Sequence, residues 1–300
     1  MGDLVVIQND YSFTPLVNMV IDGLTSEHSK DAYKRALTGF LDWYKSSGQG
    51  EFNKASVLAY KARLVDSGLK PSTVNQRLSA IRKLATEAND NGILAADLAS
   101  GIAKIKGVRM HGTRSGNWLS KERAQEVINS PDVTTLKGLR DRAILAILLG
   151  CGLRRSECAS LQVGDIQQRE GRWVIVDMTG KGRRVRSVPM PTWTKAAIDS
   201  WTARAGITTG NIFRQVRRGD HLTGIKSMTA HAIHDVVKTY AGEAAPHDLR
   251  RTFAKLCHKG GAALEQIQLT LGHSTIQTTE RYLGIQQDLT DAPCDKLGLK

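Results

Sequence analysis

The 300-residue chain is most informative first for what it does not contain. Its four cysteines, Cys151, Cys158, Cys257 and Cys294, form no CxxC pair and sit in or beside apolar stretches. That pattern argues against a disulfide framework and fits reduced thiols in packing roles. No apolar run approaches the ~20 residues that span a bilayer, and the opening MGDLVVIQND has neither the basic start nor the small-residue cleavage site of a secretion signal. Val6 stands where a myristoylation signal requires Ser or Thr. No internal repeat and no low-complexity segment is visible. Acid is also short: 29 Asp and Glu against 42 Lys and Arg leave a formal charge of +13. These absences predict a cytoplasmic protein with no membrane role.

What remains is a basic chain whose apolar content, 41%, suffices for real cores. The surplus cations are scattered in short clusters along the whole length, which points to a polyanionic partner. Nucleic acid is the first candidate, because cations that match a phosphate backbone release its condensed counterions. A membrane surface is the weaker one. The length argues for two domains.

Residues 11–100 predict a compact domain of four or five helices. Apolar residues recur at helical spacing through Tyr33, Leu37, Phe40, Leu41 and Tyr44, and again through Val74, Leu78, Ile81, Leu84 and Ala85. The helix that opens near Pro71 carries Gln76, Arg77, Arg82 and Lys83, either as a solvated face or as a face turned to DNA. Lys104 and Lys106 lead into a basic, glycine-rich linker over 107–117 that contains Arg109 and is expected to lie near phosphates. A second domain over 118–300 opens with Ser120 as a helix cap. An apolar helix through Leu139, Ile144, Leu145, Ile147, Leu148 and Leu149 follows as its buried centre. The runs 172–176 and 184–188 predict a β-hairpin with Lys181 at its tip and Arg183 beside it, and helices are expected again from Thr194 to the end.

Four segments could carry chemistry. The apolar helix ends in Gly150-Cys151-Gly152-Leu153-Arg154-Arg155-Ser156-Glu157, where Arg154 alone reads as a helix-end cation or an ion pair. Lys181 alone reads as an exposed turn lysine. A helix begun at Pro246 places His247 and Arg250 three apart and close in space. Leu271-Gly272-His273 is followed nine residues later by Tyr282. A tyrosine hydroxyl, with a pKa of about 10, is a poor nucleophile at neutral pH, so a site that used it would need concentrated cationic donors.

In order and kind, G-L-R-x-x-E, a G-K-G hairpin lysine, H-x-L-R, L-G-H and a following tyrosine resemble the tyrosine recombinase (phage integrase) family over roughly residues 118–284. The resemblance implies a mainly α fold. A helical, SAM-like core-binding domain over 1–106 would join an α-rich catalytic domain with a small antiparallel β-sheet, the fold shared with type IB topoisomerases. It implies that Tyr282 attacks a DNA phosphate, that Arg154 and Arg250 clamp its non-bridging oxygens, and that Lys181 protonates the leaving oxygen. His247 and His273 would bond the phosphorane and help move the tyrosine proton, and Glu157 would brace Arg154. Phosphoryl transfer independently demands such an in-line nucleophile, charge neutralisation and a leaving-group proton.

The implied activity is site-specific recombination through a 3′-phosphotyrosyl intermediate, without ATP or metal and with no cofactor. The carboxylates Asp248 and Glu280 are isolated, and the spaced pair His231 and His234 has no nearby cysteine and reads as surface or packing histidines, so no metal site is assigned. The implied partner is duplex DNA with inverted half-sites around a short spacer, bound by a tetramer; a small-molecule substrate is not expected. The early start of the first domain leaves no room for the arm-binding domain of many phage integrases. The tail 283–300 is read as a segment that docks on its own domain or on a neighbouring protomer. Two residues depart from the common pattern: Arg251 stands where the family often has histidine, and Arg155 replaces an apolar residue. A type IB topoisomerase and a non-catalytic DNA-binding protein of the same fold are the rival readings.

Overall fold

The chain folds into two compact units, residues 1–113 and 114–300, each with its own hydrophobic core. The computed structural model describes residues 14–48, 50–109, 118–179, 185–217 and 219–283.

Among the described residues, the first unit contains five helices: α1 (Thr14–Asp22), α2 (Glu27–Ser46), α3 (Lys54–Asp66), α4 (Pro71–Asp90) and α5 (Ala96–Ala103). The start of α3 is set by a reciprocal cap, in which Asn53 Oδ1 accepts from the backbone N–H of Ser56 and Ser56 Oγ accepts from that of Asn53. Pro71 opens α4, at a position where a missing N–H costs nothing. Val74, Leu78, Ile81, Leu84 and Ala85 then form its buried stripe, as their spacing predicts. Phe40 of α2 anchors an aromatic cluster, with its ring 5.1 Å from Tyr60 and 5.7 Å from Phe52.

The chain after α5 departs from the loose track that its glycines suggest. Asn75 grips Val108 twice, accepting from its N–H at 2.7 Å and donating to its carbonyl at 3.0 Å. Lys61 Nζ donates to the Lys106 carbonyl, and the Arg82 guanidinium donates to that of Ile105. Gly107 serves this close approach: a Cβ there would lie 2.5 Å from Asn75 Oδ1.

The second unit runs α6 (Lys121–Asn129), α7 (Leu136–Gly150), α8 (Arg155–Ser160), β1 (Ile166–Arg169), β2 (Arg172–Thr179), β3 (Val185–Pro189), α9 (Thr192–Arg204), β4 (Arg214–Arg217), β5 (His221–Ser227), α10 (Ala230–Ala241), α11 (Pro246–Lys259), α12 (Leu264–Leu271) and α13 (Ile276–Leu283). Ser120 caps α6 by accepting from the Arg123 N–H at 3.1 Å. The apolar helix α7 is the buried centre of the unit and packs against α6, α8, α9, α10 and α11. The chain is therefore mainly helical, with a three-stranded antiparallel sheet, β1-β2-β3, on the second unit. Ile175 and Val188 face each other across it and are both buried.

Two elements differ from the sequence expectation. β1 adds a third strand to the expected hairpin, and β4 and β5 form a second antiparallel pair inside the stretch expected to be helical. Their sequences, RQVR and HLTGIKS, are too short and polar for alternation to stand out. Asp220, in the turn just before β5 with φ +64, accepts from the backbone N–H groups of Leu136 and Lys137 at 2.6 and 3.0 Å, so this hairpin caps the first turn of α7. No described helix is long and apolar enough to cross a membrane.

Candidate active site

Four elements of the second unit converge on Tyr282. The first is the turn after α7, where Gly152 takes φ +62 and leads directly into Arg154 and α8. A Cβ at Gly152 would fall 2.5 Å from the Phe253 ring, so only glycine fits. Glu157, buried in the first turn of α8, accepts the Arg154 backbone N–H at 2.8 Å and its guanidinium at 2.6 Å. The carboxylate thus fixes both the main chain and the side chain of that arginine. Burial by itself would raise the Glu157 pKa. The hydrogen bonds and charges of Arg186 and Arg154 outweigh it and hold the group below the usual carboxylate value.

The second element is α11. Pro246 begins it, Asp248 caps it by accepting from the Ala245 N–H at 3.0 Å, and its first turn presents His247 and Arg250. Arg250 is only 1% exposed and donates to two backbone carbonyls, those of Gly152 and Leu271. Desolvation, helped by the charge of Arg154, lowers it to about 10, which leaves it cationic at neutral pH.

The third and fourth elements are α12 and α13. Gly272 ends α12 in the left-handed region, φ +63, and turns the chain so that His273 faces the site. His273 Nδ1 lies 2.9 Å from the hydroxyl of Thr279, a buried threonine of α13, which fixes the imidazole plane. Tyr282, three residues on in α13, has its ring 5.2 Å from both imidazoles in edge geometry, and its hydroxyl donates to the His247 backbone carbonyl at 3.1 Å.

The titration behaviour follows from this crowding. Burial pushes Tyr282 up to about 12, a rise that Arg250, Arg251 and Arg154 oppose. His273 falls to about 4, through desolvation first and then the charges of Arg250 and Arg154. His247 keeps much of its surface open to solvent, yet its ring is crowded by protein on the site side, and this desolvation with the charges of Arg251 and Arg250 lowers it too. At neutral pH the site therefore holds a neutral tyrosine and neutral imidazoles among fixed guanidinium charges. An anion that entered would find complementary charge, and each imidazole could accept a proton.

The structure brings together Arg154, Glu157, His247, Arg250, His273 and Tyr282. Lys181 and Arg183, expected on the β2–β3 hairpin, lie outside the described residues, as does the tail beyond Leu283. The expected DNA-facing cations of the first unit separate into two groups. Arg82 and Lys83 are engaged within the unit, the first with the Ile105 carbonyl and the second with Glu87 at 2.9 Å. Gln76, Lys104, Lys106 and Arg109 are exposed, and Arg77 is half-buried beside Tyr60. Among the described residues no group of three His, Cys, Asp or Glu could hold a metal ion.

Two site neighbours, Thr279 and Arg186, were not read from the sequence. Thr279 orients His273, and Arg251, marked in the sequence as a departure from the family pattern, places its guanidinium 5.2 Å from the Tyr282 ring centroid. Arg186 of β3 donates to Glu157 Oε2 at 2.9 Å and to the Thr270 carbonyl at 2.8 Å. A signal for Arg186 was present: two positions before the apolar Val188, it falls on the same strand face, and a cation on a core-facing position needs a carboxylate.

Known proteins resemble this chain over most of its length. Residues 117–288 match the phage integrase family, and residues 18–92 match the phage integrase N-terminal SAM-like domain. The chain is 30% identical over 280 residues to the tyrosine recombinase XerD of Ralstonia nicotianae, which covers 89% of this chain and 86% of that protein. It is 30% identical over 266 residues to the tyrosine recombinase XerC of Xylella fastidiosa, 86% of either protein. In fold it is similar to the Tn1549 transposon integrase solved with transposon right end DNA, with a TM-score of 0.68 at 16% identity over 95% of this chain and 98% of that one. A lambda integrase dimer bound to a core site gives the same TM-score at 13% identity, over 92% of this chain and 96% of that one. The ordered motifs, the residues gathered at Tyr282 and the similarity over most of the chain lead to one assignment: the chain belongs to the phage integrase family, the tyrosine recombinases that carry out site-specific DNA recombination.

Proposed function

We propose that Tyr282 is the nucleophile that opens a DNA phosphodiester, forming a 3′-phosphotyrosyl bond and releasing a 5′ hydroxyl. The observation that carries this is the placement of one tyrosine between two neutral histidines inside a field of arginines. Arg154, held by Glu157, and Arg250, held by two carbonyls, offer planar charge to the non-bridging oxygens. His247 and His273 hydrogen-bond the phosphorane and take up the phenolic proton, which a group titrating at about 12 does not release unaided at neutral pH. Lys181 protonates the leaving oxygen. The new ester keeps the energy of the broken one, so a 5′ hydroxyl from another strand reverses the attack without ATP.

The partner in this reading is duplex DNA with inverted half-sites around a short spacer, held by four protomers. Residues 1–106 form the core-binding domain, and residues 118–300 form the catalytic domain. Gln76, Arg77, Lys104, Lys106, Arg109 and Arg183 contact phosphates, and Arg82 and Lys83 support the unit that carries them. The tail 283–300 links protomers, and the protein works in the cytoplasm on nucleoid DNA.

The test is a nicked duplex obtained by covalent capture from a random-sequence library, incubated with the full chain and then denatured in SDS. The parent retains the DNA covalently, with or without EDTA, and Tyr282→Phe retains none. An adduct of equal yield with Tyr282→Phe overturns the assignment.

A further inference from the structure

Arg186 is a buried cation that the roles above leave unassigned. Its side chain is 8% exposed, although Val185 and Ser187 on either side of it in β3 are exposed. Strand alternation turns position 186 to the same face as buried Val188. There it meets two separate pieces of the site. Nη2 donates to Glu157 Oε2, the oxygen that also accepts the Arg154 backbone N–H, and Nε donates to the Thr270 carbonyl in the last turn of α12. Gly272 lies against the same side chain: a Cβ there would sit 3.0 Å from Arg186 Cδ.

We infer that Arg186 is a positioning residue for strand cleavage. It holds the Glu157 carboxylate under Arg154 and the Gly272–His273 corner in one register, so that phosphate clamp and histidine are assembled around Tyr282 before DNA arrives. This rests on the phosphoryl-transfer reading above.

Its chemistry gives it a distinctive signature. The cations facing Glu157 are Arg154 from the turn before α8, Arg186 from β3 and, 3.9 Å away, Arg250 from α11. The neighbouring Cys158 thiol is pushed far up by burial and stays neutral. The hydrogen bond from Arg186 is the largest influence that opposes burial at Glu157. With Arg186 removed, burial regains ground and the Glu157 pKa rises. The carboxylate then holds Arg154 only above that new pKa, and cleavage in the variant climbs with pH across a range where the parent is flat.

The experiment is single-turnover cleavage of the captured duplex, as a function of pH, by the full-length parent, R186M, R186K, E157Q and R186M/E157Q. R186M is expected to cleave at least about tenfold more slowly than the parent at the acid end of neutral and to recover as pH rises. R186K reaches one acceptor but not both, and falls between the two. The double variant buries no lone carboxylate and keeps the measurement independent of any folding defect in R186M. It is expected to be pH-flat and no slower than the slower single variant, because both changes break one linkage. An R186M profile that matches the parent, or a pH-independent loss that multiplies with that of E157Q, overturns the inference. A parent that captures no duplex overturns the phosphoryl-transfer reading itself, and the inference with it.

Discussion

At the scale of single residues the site is built of groups whose neighbours set their charge. His273, held at about 4 against an ordinary value of 6.5, illustrates the consequence for stability. The unfolded chain protonates this histidine as pH falls through 6.5, while the folded chain resists until about 4. The preference for the folded state is therefore complete above 6.5 and declines as pH drops towards 4. Thermal melting over that range is expected to show a fall in midpoint that His273→Gln flattens; an unchanged slope in the variant would contradict it. Thr279→Val removes the oxygen against His273 Nδ1 while preserving shape, and is expected to slow cleavage by about tenfold or more, with DNA binding retained. Six of the candidate site residues were legible through the family resemblance that their ordered motifs carry, because phosphoryl transfer restricts which side chains serve. Thr279 and Arg186 could not be assigned that way, since what they do depends on which backbone segment folds beside them.

At the scale of elements, what matters is how helix ends are fixed. α7 is held at both: Asp220 accepts two N–H groups at its start, and Gly152 turns the chain just beyond its end. Asp220→Ala is expected to cost about 1–2 kcal/mol, as for loss of a cap, read by chemical denaturation. Gly152→Ala imposes left-handed strain and a clash with Phe253, and shifts a carbonyl that holds Arg250. It is expected to destabilise by about 1–3 kcal/mol and to reduce cleavage beyond what unfolding explains. Helical periodicity made α2 and α4 readable, because a 3.6-residue stripe over three turns or more is hard to mimic, and α7 was readable instead from a long run that is apolar nearly all round. β1, β4 and β5 escaped because four to seven polar residues carry too little period, and their pairing is decided by partners distant in sequence. The turn around Gly219 and Asp220 was the one local hint of β4–β5.

At the scale of the molecule, two cores and a net charge of +13 define the behaviour. The logarithm of DNA affinity is expected to fall linearly with the logarithm of salt, with a slope of about −0.9 per phosphate neutralised. Lys104→Ala and Lys106→Ala should each lower that slope by about one and weaken all sequences alike, which a filter-binding salt titration measures. A sequence-dependent loss would instead mean that these lysines read bases. The division into two units could be read from length and from the basic glycine-rich stretch. The role of Gly107 could not, since composition suggests looseness where the fold uses the missing side chain for contact with Asn75. The grip on Arg250 has one further consequence. Its two acceptors are main-chain carbonyls, which every residue possesses, so mutation at either position cannot delete them. The orientation of this arginine is thereby insulated from sequence drift, and remains vulnerable only where the path of the chain itself depends on glycine.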